Sequence, residues 1–197
     1  MPGKFGMKGC MVTVETPRLI LASTPLHIIT TRLSADDFRA DVPLDRAAGM
    51  NHAGERIHVH FPPEWPGDAL GLFPTWKAKI EAGEDYDFLT GTIIERNERV
   101  AIGGIGLFQV APPDDGALEL GYGVNPAYSR RGYATEAVQG LLQWSRQQPN
   151  ISNIVAACLE NNIGSIRVLE KSGFIRTGTR LDEEGPMILW DFRRSPQ

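Results

Sequence analysis

The stretch V-N-P-A-Y-S-R-R-G-Y-A-T-E-A, Val124 to Ala137, decides the fold, because a basic turn within it joins the end of a strand to the start of a helix. The run A-L-E-L-G-Y-G-V at 117–124 is predicted to be the strand, and Asn125-Pro126 ends it, since proline cannot donate to a sheet ladder. Beyond the turn, apolar residues recur at helical spacing over 133–147, and Pro149 follows. The pattern predicts a strand-turn-helix unit.

The turn itself has the features of an anion-binding site. Gly132 tolerates an unusual φ and lets a ligand approach the main chain, and the first N–H groups of a helix have no partners inside it. Arg130 and Arg131 add positive charge, and Thr135 adds a hydroxyl. Because a helix N-terminus favours phosphate oxygens, the stretch predicts a diphosphate site. An isolated Arg-Arg-Gly also fits a solvated loop.

Length, composition and charge limit what else the chain can be. Its 197 residues, 42% of them hydrophobic, suffice for one well-filled core and predict a single domain over 12–197. Twenty Lys and Arg against 24 Asp and Glu give a net charge of −4, so binding to nucleic acid or to an anionic membrane is not expected. Nor does any segment approach the roughly 18 apolar residues of a membrane span.

Cysteine and histidine usage favours a reducing, cytoplasmic location and no bound metal. Cys10 and Cys158 form neither a disulfide framework nor a metal-ligand spacing, and His58-x-His60 has no third ligand at a suitable distance along the chain. Residues 1–11 hold three methionines but no apolar h-region. We expect them to be a disordered leader rather than a signal peptide.

Outside the opening stretch, strands and helices alternate along the chain. Strands are predicted at 18–22, 87–96, 100–110, 154–159, 174–180 and 187–193, and helices from Pro25, around 70–81 and over 163–172. The pattern between 34 and 83 is otherwise weak and rich in proline. This order predicts an α+β fold.

The opening stretch and N-N-I-G-S-I-R-V-L-E-K-S-G-F at 161–174 together resemble the GNAT superfamily of acyl-CoA-dependent N-acetyltransferases, in the branch that includes RimJ and RimL. The family signature Gln/Arg-x-x-Gly-x-Gly/Ala is matched by Gly132 and Ala134, while Ser129 stands where Gln or Arg is usual. T-P-R-L-I-L at 16–21 and E-L-G-Y at 119–122 are further marks of the branch. The resemblance implies a mainly antiparallel mixed sheet, flanked by helices and splayed at the acyl-CoA site.

By this resemblance, acetyl-CoA is the co-substrate, with its diphosphate on the turn and its pantetheine arm along the 117–124 strand. The implied binding residues are Tyr122, Gly123, Val124, Arg130, Arg131, Gly132, Tyr133, Ala134, Thr135 and Asn162. The splay leaves backbone donors free, so the Val124 N–H is expected to polarise the thioester carbonyl. Asn162 equally fits a helix N-cap.

The resemblance also implies that a primary amine attacks the thioester directly in a ternary complex, and it suggests which side chains move the protons. Glu119 is expected to take the proton of the amine, directly or through water, although a solvated glutamate is the other interpretation. Many relatives protonate the departing thiolate with a tyrosine whose position Leu169 occupies here. Ser165 is expected to donate instead, with Tyr122 and Tyr133 as substitutes, and it equally fits a cap.

The acceptor, which is a protein N-terminus or a small-molecule amine, and one alternative function stay open at this point. A protein N-terminus, with a pKa of about 7.8, needs only a weak base, whereas a lysine-like amine has a pKa of about 10.4. Acidic residues at 36, 37, 84, 85 and 87 suggest a cationic acceptor, although a solvated face has the same composition. Leu169 and Ser129 also fit a non-catalytic acyl-CoA-binding or sensor module. A monomer and a homodimer are both compatible with the sequence.

Overall fold

The computed structural model describes residues 13–44, 54–83, 88–110 and 117–193, and the predicted leader, the loop at 111–116 and the acidic residues at 84, 85 and 87 lie outside these ranges. The strands are β1 Val14–Glu15, β2 Leu19–Ser23, β3 Phe38–Pro43, β4 Arg56–Phe61, β5 Phe88–Glu95, β6 Val100–Gln109, β7 Ala117–Val124, β8 Asn153–Leu159, β9 Ile175–Asp182 and β10 Gly185–Arg193. The α-helices are α1 Leu26–Arg32, α2 Phe73–Glu81, α3 Tyr133–Ser145 and α4 Ile163–Lys171. A 3₁₀ helix, Gly67–Leu72, precedes α2.

The described strands form one sheet in the order β1-β2-β5-β6-β7-β8-β10-β9. Neighbours along this path are antiparallel except β7 and β8, which are parallel. The β3–β4 hairpin joins the sheet where His60 pairs with Val100. The predicted α+β fold with a mixed, mainly antiparallel sheet is therefore confirmed.

The parallel pair β7–β8 is held together only at its beginning. Three residue pairs join the strands: Ala117 with Asn153, Leu118 with Ile154, and Glu119 with Val155. Beyond them, β7 continues to Val124 on β6, while β8 continues to Leu159 on β10. The sheet is thus splayed between the later halves of β7 and β8, as expected.

Two hydrophobic clusters cover the two faces of the sheet. On one face, α3 and α4 pack through buried side chains such as Val138 and Leu169 against Leu107 and Leu120. On the other face, α1, α2 and the β3–β4 hairpin pack around buried Trp65. Because side chains alternate along a strand, the central strands β2, β5 and β6 supply side chains to both clusters.

The weakly patterned stretch contains more structure than the sequence analysis predicts. Besides α2, which begins at Phe73 behind the 3₁₀ helix rather than at residue 70, it holds the β3–β4 hairpin. Both strands do alternate apolar and polar residues, as F-R-A-D-V-P and R-I-H-V-H-F. This alternation is the sequence signal that indicates the hairpin, but the prolines and loops on either side make it difficult to recognise.

Adjacent glycines in β6 offer a direct test of the strand packing beside the splay. A Cβ on Gly103 would collide with the carbonyl oxygen of Gly123 and lie 2.9 Å from the Val124 Cα. For a Cβ on Gly104, the nearest atom is the carbonyl oxygen of Gly91, at an ordinary 3.8 Å. The close packing of β7 on β6 therefore requires glycine at position 103 but not at position 104.

We predict that Gly103→Ala lowers the free energy of unfolding by about 3 kcal/mol or more, because backbone atoms of β7 cannot yield as a side chain could. Gly104→Ala, the matched control, is expected to change it by less than about 1 kcal/mol. Urea unfolding followed by circular dichroism measures both values. Equal effects of the two substitutions would contradict this packing.

Candidate functional site

The basic turn before α3 is built from two residues in the left-handed region. Arg130 has φ 61° and Gly132 has φ 82°. Gly132 is the N-cap of α3, and in the described part of the chain no side chain caps this helix end. The first helical bond runs from the Glu136 N–H to the Gly132 carbonyl oxygen at 3.0 Å. The N–H groups of residues 133–135 are therefore available to an anion.

Arg18, just before β2, holds this turn in place. Its Nε donates to Glu136 Oε2 at 2.6 Å, and its Nη1 donates to the Arg131 carbonyl oxygen at 2.9 Å. Its guanidinium carbon lies 4.5 Å from the centroid of the Tyr133 ring. Thr16 Oγ1 donates to Glu136 Oε1 at 2.7 Å. One cation thus connects β2, the turn and the first helical turn of α3.

The charge of Glu136 matters because it stands beside the proposed anion site. Burial acts to raise the pKa of Glu136, but hydrogen bonds from Thr16 and Arg18 and the charge of Arg18 outweigh it and hold the pKa below its ordinary value. The ionised carboxylate suits the N-terminal end of a helix dipole. Its repulsion of a phosphate is offset by Arg18, so the helix end stays favourable for anions.

The remaining turn residues present charge and backbone to solvent. Arg130 and Arg131 are exposed, and the Arg131 guanidinium carbon lies 5.4 Å from the centroid of the Tyr128 ring. Ala134 and Thr135 are half-buried in the first turn of α3. Ser129, the residue expected in place of Gln or Arg, donates its hydroxyl to the Asn125 carbonyl oxygen at 3.4 Å. Its side chain therefore bonds back to the loop that follows β7.

Backbone geometry places the predicted Val124 donor at the splay. The Asn125 N–H donates to the Ile102 carbonyl oxygen at 2.7 Å, which directs it to the β6 side of the chain. Because successive N–H groups of a strand point to opposite edges, those of Val124 and Tyr122 point away from β6. They face the edge where β8 no longer pairs with β7.

Two of the predicted proton donors are in contact. The Tyr122 hydroxyl lies 2.7 Å from Ser165 Oγ. Burial raises the pKa of Tyr122 to about 12, although the hydrogen bond to Ser165 acts to lower it. Leu169, which is expected to stand in place of the tyrosine of many relatives, is fully buried in the core. Tyr133 is not part of this pair, since it lies at the turn under Arg18.

Asn162 stands at the start of α4, as the sequence predicts. Its Oδ1 accepts a hydrogen bond from the Ser165 N–H at 3.0 Å, which confirms the N-cap interpretation. The Ser165 hydroxyl does not share this role, because it bonds to Tyr122. The start of α4 therefore joins a backbone cap to a side-chain hydroxyl pair.

A cavity of about 640 Å³ lies on the sheet face opposite α3 and extends along β7 to Pro126. Glycines of β5, β6 and β7 form its floor: Gly91, Gly104, Gly106, Gly121 and Gly123. Its walls are mainly aromatic: Trp65, Phe73, Trp76 and Phe108. Two exposed carboxylates, Glu64 and Asp68, line it from the segment before α2. A volume of this size suits a small-molecule ligand.

Glu119 lies next to this cavity rather than on its wall. Glu119 is half-buried and shares a face of β7 with Gly121. It is not one of the described residues that line the cavity. It pairs with Phe108, whose ring lies 3.0 Å from the position of a Cβ on Gly121. The Phe108 ring therefore lies against Gly121, two residues along β7 from Glu119. The carboxylates that do line the cavity, Glu64 and Asp68, were not indicated by the sequence pattern.

Other sequence features have structural partners. His58 Nδ1 lies 2.8 Å from Asp41 Oδ1, and His60 Nε2 lies 2.9 Å from Asp37 Oδ1. Cys158 is buried, and its Sγ accepts a hydrogen bond from Trp190 Nε1 at 3.3 Å. Within the described ranges, no three His, Cys, Asp or Glu residues are grouped to hold a metal, and no helix has the length and apolarity to cross a membrane.

Comparison with known proteins assigns this geometry to a family. The sequence profile of the acetyltransferase (GNAT) domain matches residues 44–175. The chain belongs to the GNAT family of N-acetyltransferases. It is 36% identical over 155 residues to the uncharacterized N-acetyltransferase YnaD of Bacillus subtilis, covering 78% of this chain and 85% of YnaD. It is 32% identical over 141 residues to the uncharacterized N-acetyltransferase YjdG of the same organism, covering 68% of this chain and 82% of YjdG.

Solved structures agree with the GNAT fold. The structure of RimL, the ribosomal L7/L12 α-N-protein acetyltransferase, in complex with coenzyme A aligns with a TM-score of 0.61 at 12% identity. The alignment covers 92% of this chain and 97% of that one. The expected resemblance to GNAT enzymes with RimL-like neighbours is thus confirmed, and GNAT enzymes use acetyl-CoA.

For this GNAT chain, we predict that Glu136→Gln lowers the free energy of unfolding at neutral pH by about 1–3 kcal/mol, because it removes a charged acceptor from Arg18. A carboxylate with a lowered pKa stabilises the fold above its unfolded pKa of about 4.3, and the contribution is lost as the pH falls through the folded pKa. The difference in the free energy of unfolding between wild type and variant should therefore be smaller at about pH 3 than at neutral pH.

Urea unfolding at the two pH values measures this difference. Glu183→Gln is the matched control, because Glu183 is exposed in the turn between β9 and β10. It is expected to change the free energy of unfolding by less than about 0.5 kcal/mol at either pH. A loss for Glu136→Gln that does not depend on pH would show that the pairing with Arg18 is not its source.

Proposed function

We propose that the chain transfers the acetyl group of acetyl-CoA to a primary amine by direct attack in a ternary complex. The observation that carries this proposal is the arrangement around the end of β7. There the uncapped N-terminus of α3, the splay and the glycine-floored cavity meet within one strand and one turn. An anion, an extended arm and an acceptor would each have a place around this point.

The turn supports binding of the diphosphate. The N–H groups of Tyr133, Ala134 and Thr135 would donate to its oxygens, and Gly132 lets the ligand approach the main chain closely. Arg130 and Arg131 would add charge from the exposed side of the turn. Most donors are backbone groups, so Ser129 in place of Gln or Arg removes one side-chain contact and leaves the others.

The splay supports binding of the pantetheine arm. Its amides can pair with the free edge of β7 at Tyr122, Gly123 and Val124, much as an added strand would. Asn162, exposed at the start of α4, stands beyond the end of β8 on the other side of the splay. The arm would thus be held between the two strands that no longer pair.

Acetyl-CoA supplies the thioester, and Val124 would supply the donor that polarises it. Its N–H points to the splay and is fixed by β7, so it would need little reorganisation as negative charge develops on the carbonyl oxygen. A preorganised donor of this kind is typically worth about 100- to 1,000-fold in rate.

Ser165 and Tyr122 are proposed to protonate the departing thiolate. With a pKa of about 12, Tyr122 keeps its proton at neutral pH. Its hydroxyl is 2.7 Å from Ser165 Oγ, so Ser165 would give a proton to sulfur while it receives one from Tyr122, and solvent would then return a proton to the Tyr122 oxygen. Leu169 places an aliphatic side chain where many relatives have a tyrosine, and the Tyr122–Ser165 pair would fill that role.

Glu119 is proposed to take the proton of the amine through water. It lies two residues before Gly121 on the same strand face and five residues before Val124, so water would have to carry the proton from an amine at the splay. A water relay is within the usual range of general-base catalysis. An amine with a pKa near 8 would need little help, because much of it is already neutral at neutral pH.

Incubation with acetyl-CoA and a panel of primary amines, with release of free thiol as the readout, tests the function. We predict turnover that requires both substrates, and we predict that Glu119→Gln lowers kcat about tenfold or more and alters its pH dependence. Acetyl-CoA binding in calorimetry without turnover of any amine would instead favour a non-catalytic acyl-CoA-binding or sensor module. Wild-type turnover and pH dependence in Glu119→Gln would exclude Glu119 as the base.

Substitution of the hydroxyl pair tests the proposed proton donor. We predict that Tyr122→Phe and Ser165→Ala each lower kcat at least about tenfold with little change in the KM for acetyl-CoA. The double variant should lose little more than the worse single variant, because the two hydroxyls act in one path. Thr179→Ala, on the exposed strand β9, is the control. Full activity of Ser165→Ala would contradict the assignment.

A further inference from the structure

We infer that the acceptor is a small primary amine with one positive charge and a flat, apolar body, an arylalkylamine in chemical class. This inference rests on the proposed function, since it names the amine that the same site takes. It is carried by three features of the 640 Å³ cavity: a floor of glycines, aromatic walls, and carboxylates as the charged groups among the lining residues that the structure describes.

Two glycines of the floor, Gly104 and Gly123, have no explanation within the protein itself. Gly104 pairs with Gly123 and Gly106 pairs with Gly121, so four glycines form a patch across β6 and β7. Neither Gly104 nor Gly123 has a φ in the left-handed region, so the backbone does not require glycine there. A Cβ on Gly123 would meet no atom within 4 Å, and one on Gly104 would make only ordinary contact. The space above them is therefore left open for a ligand.

The walls are rigid aromatic surfaces. Trp65 is fixed by a hydrogen bond from its Nε1 to the Gly103 carbonyl oxygen at 3.1 Å. Ring centroids lie 5.5 Å apart for Trp65 and Phe73, 5.4 Å for Phe73 and Trp76, and 6.4 Å for Trp76 and Phe108. A flat ring placed on the glycines would meet these rings at its edges and face, the geometry that aromatic pairs favour.

The polar groups of the cavity favour a cation and oppose an anion. Glu64 and Asp68 supply negative charge, and the residues described as lining the cavity include no lysine, arginine or histidine. The hydroxyl of Thr24 is already 3.0 Å from that of Thr92. An ammonium group can bind near the carboxylates and over aromatic faces, whereas the carboxylate of a free amino acid would be repelled.

Peptides and linear polyamines fit this cavity less well. The floor strand β6 is paired with β5 on one side and with β7 on the other, so its backbone groups are already used. The amides of a bound peptide would find few partners there, and unpaired polar groups are costly to bury. A linear polyamine could reach a carboxylate but has no flat body to cover the floor.

The test compares kcat/KM, at saturating acetyl-CoA, for 2-phenylethylamine, n-propylamine, spermidine and a short peptide with a free N-terminus. The inference predicts that 2-phenylethylamine exceeds each of the others by about tenfold or more, since its ring fills the floor. Calorimetric titration of 2-phenylethylamine into the enzyme with coenzyme A gives a readout that does not need turnover, and binding is expected.

Gly104→Ala and Gly104→Val form a graded series that fills the floor. The preference for 2-phenylethylamine over n-propylamine should fall with side-chain size, by about tenfold or more for valine. Glu183→Gln, outside the cavity, is expected to keep the wild-type preference. Replacement of both Glu64 and Asp68 by their amides should raise the KM for 2-phenylethylamine about threefold at low salt and less at high salt.

The outcomes separate this inference from the function on which it rests. Turnover that favours spermidine or the peptide, or a preference that Gly104→Val leaves unchanged, overturns the inference and leaves the acetyltransferase proposal standing. Absence of turnover with every amine overturns the proposed function together with this inference. Circular dichroism of the Gly104 variants confirms that they are folded before their kinetics are compared.

Discussion

The ion pair between Arg18 and Glu136 is the contact on which the site depends. It joins β2 to the first turn of α3, and the same guanidinium holds the Arg131 carbonyl oxygen and covers the Tyr133 ring. Without it, an unpaired carboxylate would stand beside a helix end that is proposed to bind phosphates. The pair therefore fixes the shape of the turn and also leaves its electrostatic field suited to an anion.

The splay of the sheet lies beside the N-terminus of α3 and would let one ligand contact both. Where β7 leaves β8, one strand edge becomes available to an extended ligand while the strand stays rigid on β6. Alternation along β7 gives the strand two different faces: Tyr122 points to Ser165 on the α4 side, and Gly121 and Gly123 line the cavity on the other side, where the acceptor is proposed to bind. A thioester at the splay would be reached from both faces, by a proton donor and by an amine.

Local patterns account for what could be predicted from the sequence. Residues 117–124 alternate as a strand, 133–147 have helical spacing close to the observed Tyr133–Ser145, and Asn162 is the predicted cap. Contacts between distant residues have no such signature. Arg18 and Glu136 are 118 positions apart, and the Tyr122–Ser165 pair spans 43. The carboxylates of the cavity come from a proline-rich segment whose course is set by packing around Trp65 rather than by local propensity.

The central claim is that the turn, the splay and the cavity are three parts of one site. The most direct measurement is a crystal structure of the protein with coenzyme A bound. The account predicts the diphosphate on the N–H groups of residues 133–135, the pantetheine arm between β7 and β8, and the thiol near the Val124 N–H and the Ser165 hydroxyl. A diphosphate bound away from the start of α3, or an arm that lies outside the splay, would contradict it.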